Sequence, residues 1–256
     1  MRRTAALGLG ILAVAGLSLT ACSSGSKPSP TAQVAPADAL NNALAQLKTT
    51  GYDVTLTDSQ SHGTGSVDPA SSAATVQQSG VVEGTNITIA GTEIGPDKWV
   101  HLDLGALGQQ AGVDATKWYH VDSSKLTGAD AWPFELSGPD AFGVGEVLTA
   151  VTGVKATDAT HLTGTVDLTQ ATGPAKPSDS DLQTAGAAAK TTPFTVVLDD
   201  KGRLASVSIN ADGFDKDLTK TIAFSNYGSP TAINPPDAAS VVPAPDVIYQ
   251  ILNDEG

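Results

Sequence analysis

Apolar and polar residues alternate with a period of two through much of the chain between Tyr52 and Phe224, and Gly, Asp and Pro interrupt the alternation repeatedly. Tyr52-Asp53-Val54-Thr55-Leu56-Thr57 is the clearest case. Successive side chains of an extended segment point to opposite faces, so Tyr52, Val54 and Leu56 share one side and the polar residues the other. A segment with one dry and one wet face fits an antiparallel sheet, whereas a parallel sheet buried on both faces needs near-continuous apolar runs. Strands are therefore expected at His62 to Asp68, Ala73 to Ser79, Thr85 to Ala90, Lys98 to Leu104, Lys117 to Val121, His161 to Thr169, Phe194 to Leu198, Leu204 to Asn210 and Thr219 to Phe224. Asp199-Asp200-Lys201-Gly202 reads as a hairpin turn, because Gly202 can take the positive φ that such turns require. By parity the inward set is Tyr52, Val54 and Leu56, then Ile87 and Ile89, then Val100 and Leu102 with Tyr119 and Val121. Phe194, Val196, Leu198, Ile222 and Phe224 complete it. These are the candidate apolar lining of any ligand cavity, and equally the candidates for an ordinary core.

Helical signals are fewer. Ala37 to Thr50 carries Leu40, Ala43, Leu44 and Leu47 on one stripe, with Asp38 as a cap and Gly51 as a stop. Gly138 to Val151 and Ser178 to Lys190 are further candidates, the latter with Asp179 and Asp181 in its first turn, where the helix dipole favours them. Asp246 to Leu252 makes a short terminal helix with Val247, Ile248, Ile251 and Leu252 on one side. This apolar tail has two readings: docking on an opening or a partner, or packing against the domain edge.

The start of the chain has a different character. Arg2 and Arg3 precede an apolar run from Ala5 to Leu19, followed by Leu19-Thr20-Ala21-Cys22. The run is about 15 residues, short of the roughly 20 that span a bilayer. A charged region, an apolar region and small residues before a cut are the marks of a signal peptide. A cysteine directly after Leu-Thr-Ala resembles the bacterial lipobox, in which the cysteine is acylated and becomes the first residue. Cys22 is the only cysteine in the sequence, so no intramolecular disulfide competes for it. The alternative is an ordinary secretory signal with a chance cysteine. The expected organisation is a signal peptide over 1–21, a flexible linker over 22–36, one α+β domain over 37–242 and a tail over 243–256. Localisation follows: the outer face of the cell membrane, lipid-anchored and extracytoplasmic.

A formal charge of −13 argues against nucleic acid as a partner, since phosphates would be repelled. No G-x-S-x-G elbow, P-loop or H-E-x-x-H motif occurs, and the expectation is a non-enzyme without a cofactor. A pair of carboxylates distant in sequence stays open as the one hydrolytic alternative. One internal echo stands out. Lys98-Trp99-Val100-His101-Leu102-Asp103 recurs as Lys117-Trp118-Tyr119-His120-Val121-Asp122. If the two are antiparallel neighbours with His101 opposite His120, two imidazoles and nearby carboxylates form a candidate Zn²⁺ or Cu²⁺ site. The alternative, and the one carried forward, is a solvated face of amphipathic pairs with no metal.

Phe194-Thr195-Val196-Val197-Leu198-Asp199-Asp200-Lys201-Gly202-Arg203-Leu204, then Phe224-Ser225-Asn226-Tyr227-Gly228-Ser229-Pro230, then Ile233-Asn234-Pro235-Pro236 resemble the actinobacterial LppX/LprG-type lipoproteins of the LolA-like carrier group. The paired Lys-Trp segments around a glycine-rich excursion from Gly105 to Gly112, and a lipobox before an Ala-Leu-rich first helix, are similar too. The resemblance implies an incomplete antiparallel β-barrel, a curved sheet with helices packed on its concave face. It also implies an apolar cavity holding the acyl chains of a lipid or glycolipid that the protein carries. The family's pocket is built by apolar side chains in general, so no individual contact residue carries over. The tail after Val242 goes beyond the family pattern. The alternative from another class is a structural or interaction lipoprotein with a filled core and an envelope protein as partner.

Overall fold

The computed structural model describes residues 34–82, 84–127, 132, 142–172, 176–213 and 219–254. The signal segment, Cys22 and most of the linker lie outside these. Among the described residues no helix is long and apolar enough to cross a membrane.

The first helix, α1 (Pro36–Leu47), opens with proline at its start, where the missing N–H costs nothing and φ is preset. Asp38 sits in its first turn rather than capping it. The helix ends at Leu47, with Lys48 as its cap, before Gly51 is reached. Leu40, Ala43 and Leu47 are buried and Leu44 is half-buried, as the stripe requires.

Twelve strands follow in one sheet. They are β1 (Tyr52–Asp58), β2 (Ser61–Asp68), β3 (Ala73–Val82), β4 (Thr85–Ile94), β5 (Asp97–Asp103), β6 (Trp118–Val121), β7 (Val151–Ala156), β8 (His161–Val166), β9 (Thr192–Leu198), β10 (Leu204–Ile209), β11 (Lys220–Ser225) and β12 (Val241–Pro243). Their order is β12-β6-β5-β4-β3-β2-β1-β11-β10-β9-β8-β7. The sheet is large, curved and open, and the fold is α+β. It is not a closed barrel, because β12 and β7 are separate edges. It is also mixed rather than wholly antiparallel, since β12 runs parallel to β6. β12 holds only three residues, the last a proline. β7 is bulged between Thr152 and Lys155, with Gly153 at φ 63°. A short edge, a proline and a bulge are devices that stop further chains from adding on.

The remaining helices are short: α2 (Gly105–Ala111), α3 (Val144–Val147), α4 (Asp179–Ala185) and α5 (Asp246–Asp254). α2 replaces what the sequence shows as a glycine-rich excursion, closed by Gly112 in the left-handed region. The helix expected over 138–151 shrinks, in its described part, to α3 and a 3-10 turn at Leu148–Ala150. Val151 leaves it for β7, because β-branched residues favour a pleated surface. Residues 138–141 are outside the described set. In α4 the Ser178 hydroxyl accepts from the Asp181 N–H at 3.2 Å, a side-chain N-cap. Gly186, at φ 54°, ends that helix, and a 3-10 turn at Gly186–Thr191 follows.

One buried apolar cluster unites the sheet with the other elements. Leu40, Ala43 and Leu47 of α1, Leu168 and Ala189 beside α4, and Ile248, Tyr249 and Leu252 of α5 join the strand residues in it. The tail set off by its prolines is therefore packed on the domain.

A polar knot ties the sheet to the chain after β11. The Asp53 carboxylate accepts from the Ser66 hydroxyl at 2.7 Å, the Asn226 amide at 2.7 Å, and the Thr231 N–H and hydroxyl at 2.8 Å each. Burial alone raises the Asp53 pKa, but the bonds from Asn226, Ser66 and Thr231 outweigh it and hold the group below its ordinary range. A carboxyl depressed in the folded state stabilises the fold above its unfolded pKa and loses that contribution as pH falls through the folded value. Asp53→Ala is expected to lower stability by about 1–3 kcal/mol at neutral pH. The difference from wild type should shrink on acidification below the carboxylate range. Urea unfolding at two pH values checks both statements, and an undiminished difference in acid would contradict them.

Candidate functional site

Of the inward set, Tyr52, Val54, Leu56, Val100, Leu102, Tyr119, Val121, Phe194, Val196, Leu198, Ile222 and Phe224 all lie in the one buried cluster. Tyr52, Val100, Val196 and Ile222 have 0% exposure, so no gap of water size touches them. Ile87 and Ile89 are only half-buried. The pairing explains Ile87: β5 joins β4 no further than Thr88 opposite Asp103, so Ile87 has no neighbour on that side.

The two echoed segments are indeed antiparallel neighbours, but in a different register from the one a metal pair needs. Trp99 opposes His120 and Val100 opposes Tyr119. His101 consequently meets Trp118, not His120. The ring centroids are 5.5 Å apart in both pairs, Trp99 with His120 and His101 with Trp118, at interplanar angles of 34° and 35°. Each imidazole also has a hydrogen-bond partner: His101 Nδ1 with the Lys117 carbonyl at 3.0 Å, and His120 Nε2 with Asp97 at 3.0 Å. Stacking on indole gives a histidine a partner that is apolar on its face, which a ligand pair facing each other lacks. Among the described residues no group of three His, Cys, Asp or Glu side chains is placed to hold a metal ion.

Clefts lined by described residues lie near these elements. One, of about 360 Å³, separates α1 from α3: Asn41, Leu44, Ala45 and Lys48 form one wall, and Gly145, Glu146 and Thr149 the other. A second, of about 370 Å³, lies under α2 between Leu102 and Thr116. The third is larger, about 570 Å³, and lies where β5, β6, β12 and α5 meet. Asp97, His120, Asp122, Ser123, Lys125 and Tyr249 line it, together with Pro96, Val121, Pro243 and Ala244.

Local chemistry fixes the third cleft. The Asp122 N–H donates to the Tyr249 hydroxyl at 2.9 Å, and Lys125 Nζ sits 4.8 Å from the Tyr249 ring centroid. The Asp122 carboxylate accepts from the Ser124 hydroxyl and N–H at 2.7 and 3.0 Å. Those two bonds, the hydroxyl first, hold its pKa below the ordinary range. The Asn253 side chain accepts from the Thr127 N–H at 3.0 Å and donates to the Lys125 carbonyl at 3.2 Å, fastening α5 to this wall. Sequence reasoning singled out His120 only as half of a metal pair with His101, and missed Lys125 and Tyr249, because they come from segments with no shared pattern. The one available signal was the Asp that ends the second copy of the echo.

No family model matches this chain, and no curated protein matches it. A solved structure of the hypothetical protein CT021 from Chlamydia trachomatis superposes with a TM-score of 0.30 at 7% identity, covering 76% of this chain and 96% of that one.

Proposed function

We propose that this chain is an extracytoplasmic lipoprotein, fastened to the outer face of the cytoplasmic membrane by acyl groups on Cys22. Its domain holds an acyl chain of a lipid or glycolipid, as in LppX/LprG-type carriers. In this reading short helices lie over the concave face of the sheet and leave an apolar space between. The observation that supports the reading is one buried apolar cluster that joins strand residues from β5 through β1 to β9 with residues of α1 and α5. A sheet's apolar face must be covered, and short helices cover so wide a face incompletely. A ligand held there gains roughly 0.8 kcal/mol per methylene removed from water. No covalent chemistry is involved.

The second reading is an interaction lipoprotein with a solid interior. The 0% exposure of Tyr52, Val100, Val196 and Ile222 favours it, because the layer directly under the sheet is filled. A fluorescent acyl-chain probe titrated against the domain without residues 1–35 decides between them. The carrier gives saturable enhancement, and native mass spectrometry of protein from its own host shows a co-purifying lipid. A flat titration and a bare mass overturn the carrier and leave the scaffold.

A further inference from the structure

Two sequence features are left over by the acyl-chain reading: the outward Trp, His and Asp residues of the echoed Lys-Trp-x-His-x-Asp segments, and the tail after Val242. The fold brings them to one place. The backbone of β6 bonds to the tail on both sides, Trp118 N–H to the Ser240 carbonyl at 3.0 Å and Ala244 N–H to the His120 carbonyl at 3.0 Å. The third cleft is thus walled by both features at once.

Beside the cleft, and meeting it at His120, lies an aromatic stretch of the sheet. Trp99, His101, Trp118 and His120 share the sheet face opposite Val100 and Tyr119, and form two crossed Trp–His pairs. A ladder of rings on the outer side of a sheet is not needed for the core. Thr92 and Ala90, across from Trp99 and His101 on β4, are 3% and 5% exposed, so the rings form a low, continuous aromatic floor over that face. Continuing the β5–β6 register one rung past Lys98 and Val121 sets Asp97 beside Asp122, at the end of this floor. Each of the two has a partner, Asp97 in His120 Nε2 and Asp122 in the Ser124 hydroxyl and N–H, and together they place two acceptors at one end of the floor. Lys125 and Ser123 add donors from the other wall.

We propose that this floor and cleft bind an oligosaccharide chain. A pyranose ring has an apolar C–H face edged by hydroxyls. The partly negative face of an indole attracts the former. Carboxylates that only accept, and an ammonium that only donates, satisfy the latter from both directions. A cleft with a few convergent polar groups beside apolar surface is the usual form of a small-ligand site. The aromatic floor lies on the sheet face opposite Val100 and Tyr119, while the cleft at its end shares Val121 and Tyr249 with the buried cluster.

The test is calorimetric titration of the full chain carrying Cys22→Ala with chitotetraose, cellotetraose and maltotetraose, and with trilysine as a cationic control. Saturable binding of at least one tetrasaccharide is expected. Trp118→Ala and Asp97→Asn should each weaken it by at least about tenfold. Val81→Ser, on the exposed β3–β4 tip, should leave it unchanged. Asp97 is exposed, so its variant tests the site with the fold intact, as an unchanged thermal midpoint verifies. The proposal is overturned if no tetrasaccharide binds up to about 10 mM, a weakness at which the free energy is that of a chance contact. It also fails if trilysine alone binds, or if sugar binding survives both Trp118→Ala and Asp97→Asn.

Discussion

Val100→Asp is expected to leave no folded domain at neutral pH. Val100 is 0% exposed and lies between Gly91 of β4 and Tyr119 of β6, so a carboxylate there has no route to water. The nearest cation on the same strand and face is Lys98. It is already engaged with Glu93, across the strand pair, at 2.6 Å. An unpaired buried charge costs several kcal/mol even after the group neutralises itself. Domains of this kind have only about 5–15 kcal/mol to lose. Val100→Ala, which removes two methyl groups and adds no charge, should cost about 2 kcal/mol and fold. Circular dichroism and urea unfolding of the pair measure the contrast. If Val100→Asp unfolds at the wild-type midpoint, the face assigned to the core is facing water, and both functional readings lose their basis.

The other large effect concerns location rather than stability. Cys22→Ala is expected to move the chain from the membrane fraction to the soluble extracytoplasmic fraction, and to abolish incorporation of radioactive palmitate. One acyl chain gives marginal, reversible binding, and a second makes anchoring stable. Removing the acceptor thiol removes every chain at once, and no second cysteine can substitute. Among the described residues no helix offers another way across a bilayer. Retention of the variant in the membrane fraction, or a native chain that takes up no palmitate, would remove the lipobox reading. The domain's fold would stand unaffected, since every described residue comes after residue 33.

Strands with strong alternation were readable to within a few residues. β1 begins at Tyr52 as expected, and the β9–β10 hairpin turns at Gly202, whose φ is 72°. Asp199 secures that turn more than the alternation suggests: its carboxylate accepts from the N–H groups of Lys201 and Arg203 at 2.9 Å each. Elements with weak local signals were not readable. β12 is Val241-Val242-Pro243, a dipeptide before a proline that reads as a break. It becomes a strand because β6 would otherwise be an unpaired edge. β7 (Val151–Ala156) was missed, because only Val151 and Val154 of it are half-buried and its alternation is interrupted by the bulge at Gly153.

The candidate site divides along the same line. Which side chains face inward follows from parity alone, because successive residues of a strand alternate. Parity is blind to a slip of two residues, which keeps every side chain on its face and changes only its neighbour. That is why His101 and His120 share a face, as their sequence positions require, yet each lies against a tryptophan instead of the other. Covalent order therefore settled the strongly alternating strands and their dry sides. The neighbours across β5 and β6, the parallel edge, and the meeting of Asp97, Lys125 and Tyr249 were settled by packing. Contacts between distant segments depend on how whole surfaces fit, and no local pattern carries that information.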